Sequence, residues 1–113
     1  MEARPFEVVE SRAGDRVVLA VHGEIDLATA PRLSDAVHAA AQVATGELWI
    51  DLTGVSFMDS TGLSALVVAH RAMDDGRRLV VICPDGTPRR AIEVSGVDTI
   101  LRVCRDGDEA AAG

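Results

Sequence analysis

The stretch Glu47-Leu48-Trp49-Ile50-Asp51-Leu52-Thr53-Gly54-Val55-Ser56-Phe57-Met58-Asp59-Ser60-Thr61-Gly62-Leu63 joins two periodicities. Glu47 to Leu52, with Trp49 and Ile50 at its centre, reads as a strand. From Ser60 onward, Leu63, Leu66, Val67, His70 and Met73 recur at helical spacing and form the expected inward stripe. That spacing predicts a helix from about Ser60 to Asp75, ended by Gly76. Gly54 to Met58, between strand and helix, is expected as a loop. Strand, loop and helix in this order are the building unit of an α/β fold.

The same alternation continues on both sides. Upstream, Phe6 to Ser11 and Arg16 to Gly23 are two strands around the turn Ala13-Gly14-Asp15, an antiparallel hairpin. Glu24 to Ala28 is expected as a loop, with Thr29 capping a helix and Pro31 in its first turn. Leu33, Val37, Ala40, Ala41 and Ala44 carry that helix, and Gly46 is expected to end it. Downstream, Arg77 to Cys83 contains Leu79-Val80-Val81-Ile82, an unbroken apolar run suited to a strand covered on both faces. Pro84-Asp85-Gly86 turns the chain, Thr87 and Pro88 open a third helix through Ser95, and Gly96 stops it with Val97 packing back. Thr99 to Val103 is a last strand. Strands separated by helices favour parallel pairing with right-handed crossovers. The expected architecture is a single α/β domain, a mixed β-sheet flanked by helices, over residues 1–105. Residues 106–113, small and acidic, are expected to fray as a flexible C-terminal tail. Which sheet face each helix covers stays open.

Composition narrows the function. A chain of 113 residues holds one domain. Its only aromatic residues are Phe6, Trp49 and Phe57, so the core must be aliphatic and stacking on nucleobases has little to work with. A formal net charge of -7 repels phosphate backbones and anionic lipid, which argues against nucleic acid and membrane as partners. All basic residues are Arg, which composition bias alone explains. Cys83 and Cys104 do not make a disulfide framework or a zinc site, and Cys83 is expected in the core. No cofactor or metal is implied. No apolar run is long enough to span a bilayer, and the N-terminus leads directly into a strand pattern, so the expected location is the cytoplasm. Nothing demands an oligomer, and a monomer is expected.

Ser60 is the residue best placed for chemistry. The first turn of a helix has unpaired N–H groups and a partial positive charge, and can hold a phosphate. A hydroxyl there is exposed, and its phosphorylated form is tolerated by the helix, whereas Asp59 beside it repels a phosphate. Gly62 is expected to keep the approach to Ser60 open. By spacing alone, the commoner role of Ser60 or Asp59 is an ordinary N-cap. Phe57 and Met58 are not both expected to be buried, and one is a candidate partner contact. In a parallel sheet, Asp26 of Gly23-Glu24-Ile25-Asp26 comes to the same edge as Ser60, though a helix-capping acid is the simpler reading. A hydrolytic triad of Ser60, Asp26 and His22, His38 or His70 is disfavoured, because Asp59 and Thr61 flank Ser60 in place of the Gly-x-Ser-x-Gly turn. Asp74-Asp75 reads as solvated surface.

Three segments together resemble the STAS domains, specifically the bacterial anti-sigma factor antagonists: Asp51 to Leu63, Gly23-Glu24-Ile25-Asp26-Leu27-Ala28-Thr29-Ala30, and Ser95-Gly96-Val97-Asp98-Thr99-Ile100-Leu101. The resemblance implies a mixed sheet flanked by helices and a regulator that is not an enzyme. It implies partner switching: the unphosphorylated antagonist binds an anti-sigma factor serine kinase and so releases a sigma factor for transcription. Phosphorylation on Ser60 ends that binding, and a PP2C-type phosphatase restores it. Thr61 is the alternative acceptor, because many relatives carry a second Ser there. The implied partner-binding residues are Asp26, Phe57, Met58, Asp59, Ser60, Thr61 and Gly62. The alternative within the same resemblance is a non-switching scaffold, or a subunit of a stress-signalling or lipid-transport assembly.

Overall fold

A computed structural model describes residues 4–73 and 78–112. The expected helix stop at Gly76, the Asp74-Asp75 pair and Arg77 lie outside the described residues. Five strands, β1 (Glu7–Ala13), β2 (Arg16–Ile25), β3 (Leu48–Met58), β4 (Leu79–Ile82) and β5 (Arg102–Cys104), form one sheet in chain order. β1 and β2 are antiparallel, turning at Gly14, whose φ of 65° suits glycine. The other pairings are parallel. The helices are α1 (Ala30–Val43), α2 (Ser60–Ala72), α3 (Thr87–Ser95) and α4 (Gly107–Ala112), with a 3-10 turn at Val97–Thr99.

Strand alternation decides which face each residue serves. Val17, Leu19 and Val21 of β2, Leu48, Ile50 and Leu52 of β3, and Leu79 and Val81 of β4 share one core with Leu33 and Val37 of α1, Leu66 of α2 and Ile92 of α3. Trp49, Val80, Ile82 and Cys104 point the other way and cluster with Ala110 of α4. Three helices therefore cover one face and α4 patches the other. Parallel strands in chain order, each joined by a crossover of the same hand, carry their crossovers on a single face. β4, buried at all four positions, is the strand covered on both sides, as its unbroken apolar run predicts.

Several local expectations are corrected. Gly54 to Met58 is not a loop: β3 continues to Met58, and β2 continues past Gly23 to Ile25, pairing His22 with Gly54 and Ile25 with Met58. The glycines mark close approaches inside the strands. A Cβ on Gly54 would collide with the His22 ring, and one on Gly23 would meet Phe6 Cα at 2.9 Å. Thr29 occupies the N-cap position of α1, but its hydroxyl donates to the Glu24 carbonyl instead of capping. α1 ends at Val43, before Gly46, whose N–H donates to the Asp15 carbonyl. His70 is exposed, and the buried stripe of α2 runs through Gly62, Ala65, Leu66 and Ala69 to Met73, with Leu63 and Val67 half-buried beside it. Small residues at 65 and 69 let α2 lie against α1, which rotates the helix away from the stripe that residue size suggests.

The last strand begins at Arg102, because the chain from Gly96 first closes a 3-10 turn held by Thr99 and Ile100 amides. The segment expected to fray forms α4. Asp106 Oδ1 accepts the Glu109 N–H at 2.8 Å, and Arg102 donates to the Glu109 and Ala110 carbonyls at 3.1 and 3.0 Å. Asp106 and Glu109 stand at capping-box spacing, a signal present in the sequence.

Candidate functional site

β2 and β3 end side by side, with Ile25 opposite Met58. The next residue on each strand is an aspartate that organises a turn. Asp26 Oδ1 accepts the N–H groups of Ala28 and Thr29 at 3.0 and 3.1 Å, and its carbonyl accepts the Ala30 N–H at 2.8 Å. Asp59 is the N-cap of α2, and its Oδ1 accepts the N–H groups of Thr61 and Gly62 at 2.9 and 3.4 Å. The Asp59 N–H donates to the Ile25 carbonyl at 3.1 Å, which ties the two turns together. The parallel pairing thus brings Asp26 to the same edge as Ser60, where its carboxylate closes the turn before α1 and does not cap the helix, whose N-cap position is Thr29.

Ser60 is the first residue of α2 and is exposed. Its hydroxyl makes no hydrogen bond among the described residues. Thr61 is half-buried, and its hydroxyl donates to Asp59 Oδ1. That hydroxyl chiefly holds the Asp59 carboxyl below its usual pKa; desolvation opposes it, and the Thr61 and Gly62 amides add to the lowering. Asp59, not Ser60, is therefore the cap.

Gly62 does not serve to keep the approach open. It is buried, and a Cβ there would meet Met58 Cγ at 2.5 Å and Ile25 Cγ2 at 2.8 Å, so glycine lets α2 settle on the strand ends. Met58 is buried beneath it, while Phe57 is 46% exposed. Leu27, in the turn after Asp26, is 78% exposed and adds an apolar side chain to this edge that the sequence reading lacks. Its signal was available: an apolar residue in a loop of capping residues has no stripe to join. A groove of about 460 Å³ leads from Ser60 along Leu63, Ser64 and Val67 to Arg71 and Val97.

The histidines do not gather at Ser60. His22 lies against Gly54 within the sheet, His38 sits in α1 beside Val37, and His70 is ten residues along α2, about 15 Å from its start. Among the described residues no group of three His, Cys, Asp or Glu side chains is placed to hold a metal ion. No helix among them is long and apolar enough to cross a membrane.

The family model described as "Mlab, STAS domain" matches residues 8–102. The chain belongs to the STAS domain family. The match spans β1 to the start of β5 and includes both aspartate turns. This STAS domain is 36% identical over 97 residues to the anti-sigma-B factor antagonist of Listeria monocytogenes, covering 84% of each chain. It is 31% identical over 96 residues to the anti-sigma-F factor antagonist RsfB of Mycobacterium tuberculosis, covering 85% of this chain and 79% of RsfB. Its fold superposes on the crystal structure of an anti-sigma factor antagonist from Mycobacterium paratuberculosis with a TM-score of 0.90, at 28% identity, covering 96% of this chain and 92% of the other.

Proposed function

We propose that this STAS domain is an anti-sigma factor antagonist switched by phosphorylation at Ser60. The observation that carries the proposal is the free, exposed Ser60 hydroxyl at the first position of α2, on an edge built by Asp59 and Asp26. The relatives named above as antagonists support the regulatory class. In the unphosphorylated form, the edge docks on an anti-sigma factor serine kinase and frees the sigma factor. The exposed side chains of Phe57 and Leu27 supply apolar contact there, while Met58 and Gly62 act from beneath by setting the helix on the strands.

Phosphorylation adds a charge of roughly -1.5 to -2 at neutral pH. The helix N-terminus tolerates it, so the fold survives. A closely mated surface already carrying Asp59 and Asp26 does not tolerate it. A loss of about 4 kcal/mol weakens binding roughly a thousandfold, enough for a switch without a change of shape. A PP2C-type phosphatase resets the hydroxyl.

The test is a kinase reaction with ATP followed by a binding measurement. The chain gains one phosphate, Ser60→Ala gains none and still binds the kinase, and Ser60→Asp binds weakly. Undiminished labelling of Ser60→Ala would sink the assignment. Stable membership of a larger assembly that ignores Ser60→Asp would instead indicate a non-switching scaffold or transport subunit.

A further inference from the structure

Two hydroxyls stand next to each other at the start of α2, and their surroundings differ. Ser60 is exposed with no hydrogen-bond partner among the described residues, whereas Thr61 is half-buried and donates its hydroxyl to Asp59 Oδ1. The same carboxylate oxygen accepts the Thr61 and Gly62 amides at 2.9 and 3.4 Å. We propose that Asp59 selects the phosphoacceptor, holding the Thr61 hydroxyl closed to phosphoryl transfer and leaving Ser60 open. This inference rests on the kinase-substrate reading given above and names what directs the reaction to one of the two hydroxyls.

In the transfer, a hydroxyl oxygen attacks the γ-phosphorus of ATP. A new O–P bond forms, the bond from that phosphorus to the oxygen bridging to ADP breaks, and the hydroxyl proton passes to a base on the kinase as ADP leaves. Ser60 Oγ needs no rearrangement within the chain to do this. Thr61 must first give up its bond to Asp59 and turn outward from a half-buried position. Its product is unfavourable as well. A phosphate on Thr61 Oγ1 would place roughly -1.5 to -2 charge in contact with the Asp59 carboxylate. That carboxylate cannot move away without releasing the two amides that it caps. Asp59 is thus a positioning residue that acts through Thr61.

The experiment uses a kinase that phosphorylates the wild-type chain on Ser60, with site mapping by tandem mass spectrometry. Asp59→Gly removes the acceptor, and glycine is nearly as good as aspartate at an N-cap. The expected result is little phosphothreonine in Ser60→Ala and at least a tenfold rise at Thr61 in the Asp59→Gly/Ser60→Ala double variant. Thr61 labelled equally with Asp59 present overturns the inference. So does a silent Thr61 in the double variant while Asp59→Gly alone is still modified on Ser60. An NMR measurement of Thr61 χ1 couplings covers the case in which Asp59→Gly is no substrate. One rotamer in wild type and averaging in Asp59→Gly supports the selection. Averaging in both, or one rotamer in both, overturns it. Failure of every kinase to label the wild type would count against the function itself, and the NMR result still judges the hydroxyl lock separately.

Discussion

Gly62 rests on Met58 so closely that a Cβ at 62 would come within 2.5 Å of Met58 Cγ and 2.8 Å of Ile25 Cγ2. The contact joins the first turn of α2 to the ends of β2 and β3, and thereby sets the height of Ser60 above the sheet. Gly62→Ala should therefore destabilise the domain by about 1–3 kcal/mol, the usual cost of overpacking, despite the better helix propensity of alanine. Urea denaturation measures this. Met58→Ala in the same chain should recover part of the loss, and strict additivity of the two changes would show that the contact is not the cause.

Asp59 makes stability depend on acid. Its folded-state pKa is lowered from 3.8 by the Thr61 hydroxyl and the capped amides. A lowered carboxylate contributes stability that is full above its unfolded value and is lost as pH falls through the folded one. Unfolding followed as pH is taken downward from about 4 should show this loss, and Asp59→Asn should flatten it. The protection of the Thr61 and Gly62 amides, taken relative to their intrinsic exchange rates at each pH, should fall over the same range.

Burial raises the Cys83 thiol to about 11. Cys83 and Cys104 are both buried and face opposite sides of the sheet. Neither should react with a thiol reagent at pH 8 until the domain unfolds, so labelling in denaturant should track the loss of structure. Rapid labelling of native protein would contradict the packing.

Ala110 should be intolerant of charge. It is fully buried against Trp49, Val80, Ile82 and Cys104. Ala110→Asp should lower stability by about 3 kcal/mol and shift Trp49 fluorescence to the red as α4 lifts away. A variant that keeps its stability and emission would show that α4 does not seal that face.

If the edge at Ser60 docks a kinase, Phe57 should be one of its anchors. Phe57→Ala should weaken binding by about 2 kcal/mol, roughly thirtyfold, with folding stability nearly unchanged because the ring is half exposed. Calorimetric titration against the kinase reads this. Equal affinity would place the docking surface elsewhere.

The sequence was clearest where side-chain chemistry and periodicity agreed. The hairpin turn at Gly14, the four apolar residues of β4 and the stop at Gly96 all follow from local residue choice. It was least clear at Gly23 and Gly54. Glycine in a strand and glycine in a loop look alike without a partner strand, and here each glycine admits a neighbour from another segment, Phe6 in one case and His22 in the other. The buried face of α2 differs from the stripe of large residues for a similar reason. Leu63, Val67 and His70 are the larger residues, but the small Ala65 and Ala69 are the ones buried where α2 lies against α1.

By itself the sequence determined the alternation of strands and helices, the start of α2 at Ser60 and the motif that carries the family resemblance. These depend on spacing within one element and on capping, which act over a few residues. Only the tertiary structure decided that three helices share one sheet face, that α4 closes part of the other, and that the Asp59 amide bonds the Ile25 carbonyl beside Asp26. Those depend on pairings between residues some thirty positions apart, such as Ile25 with Met58. The same holds for the two hydroxyls at 60 and 61. They are neighbours in sequence, and the direction of the Asp59 carboxylate distinguishes them.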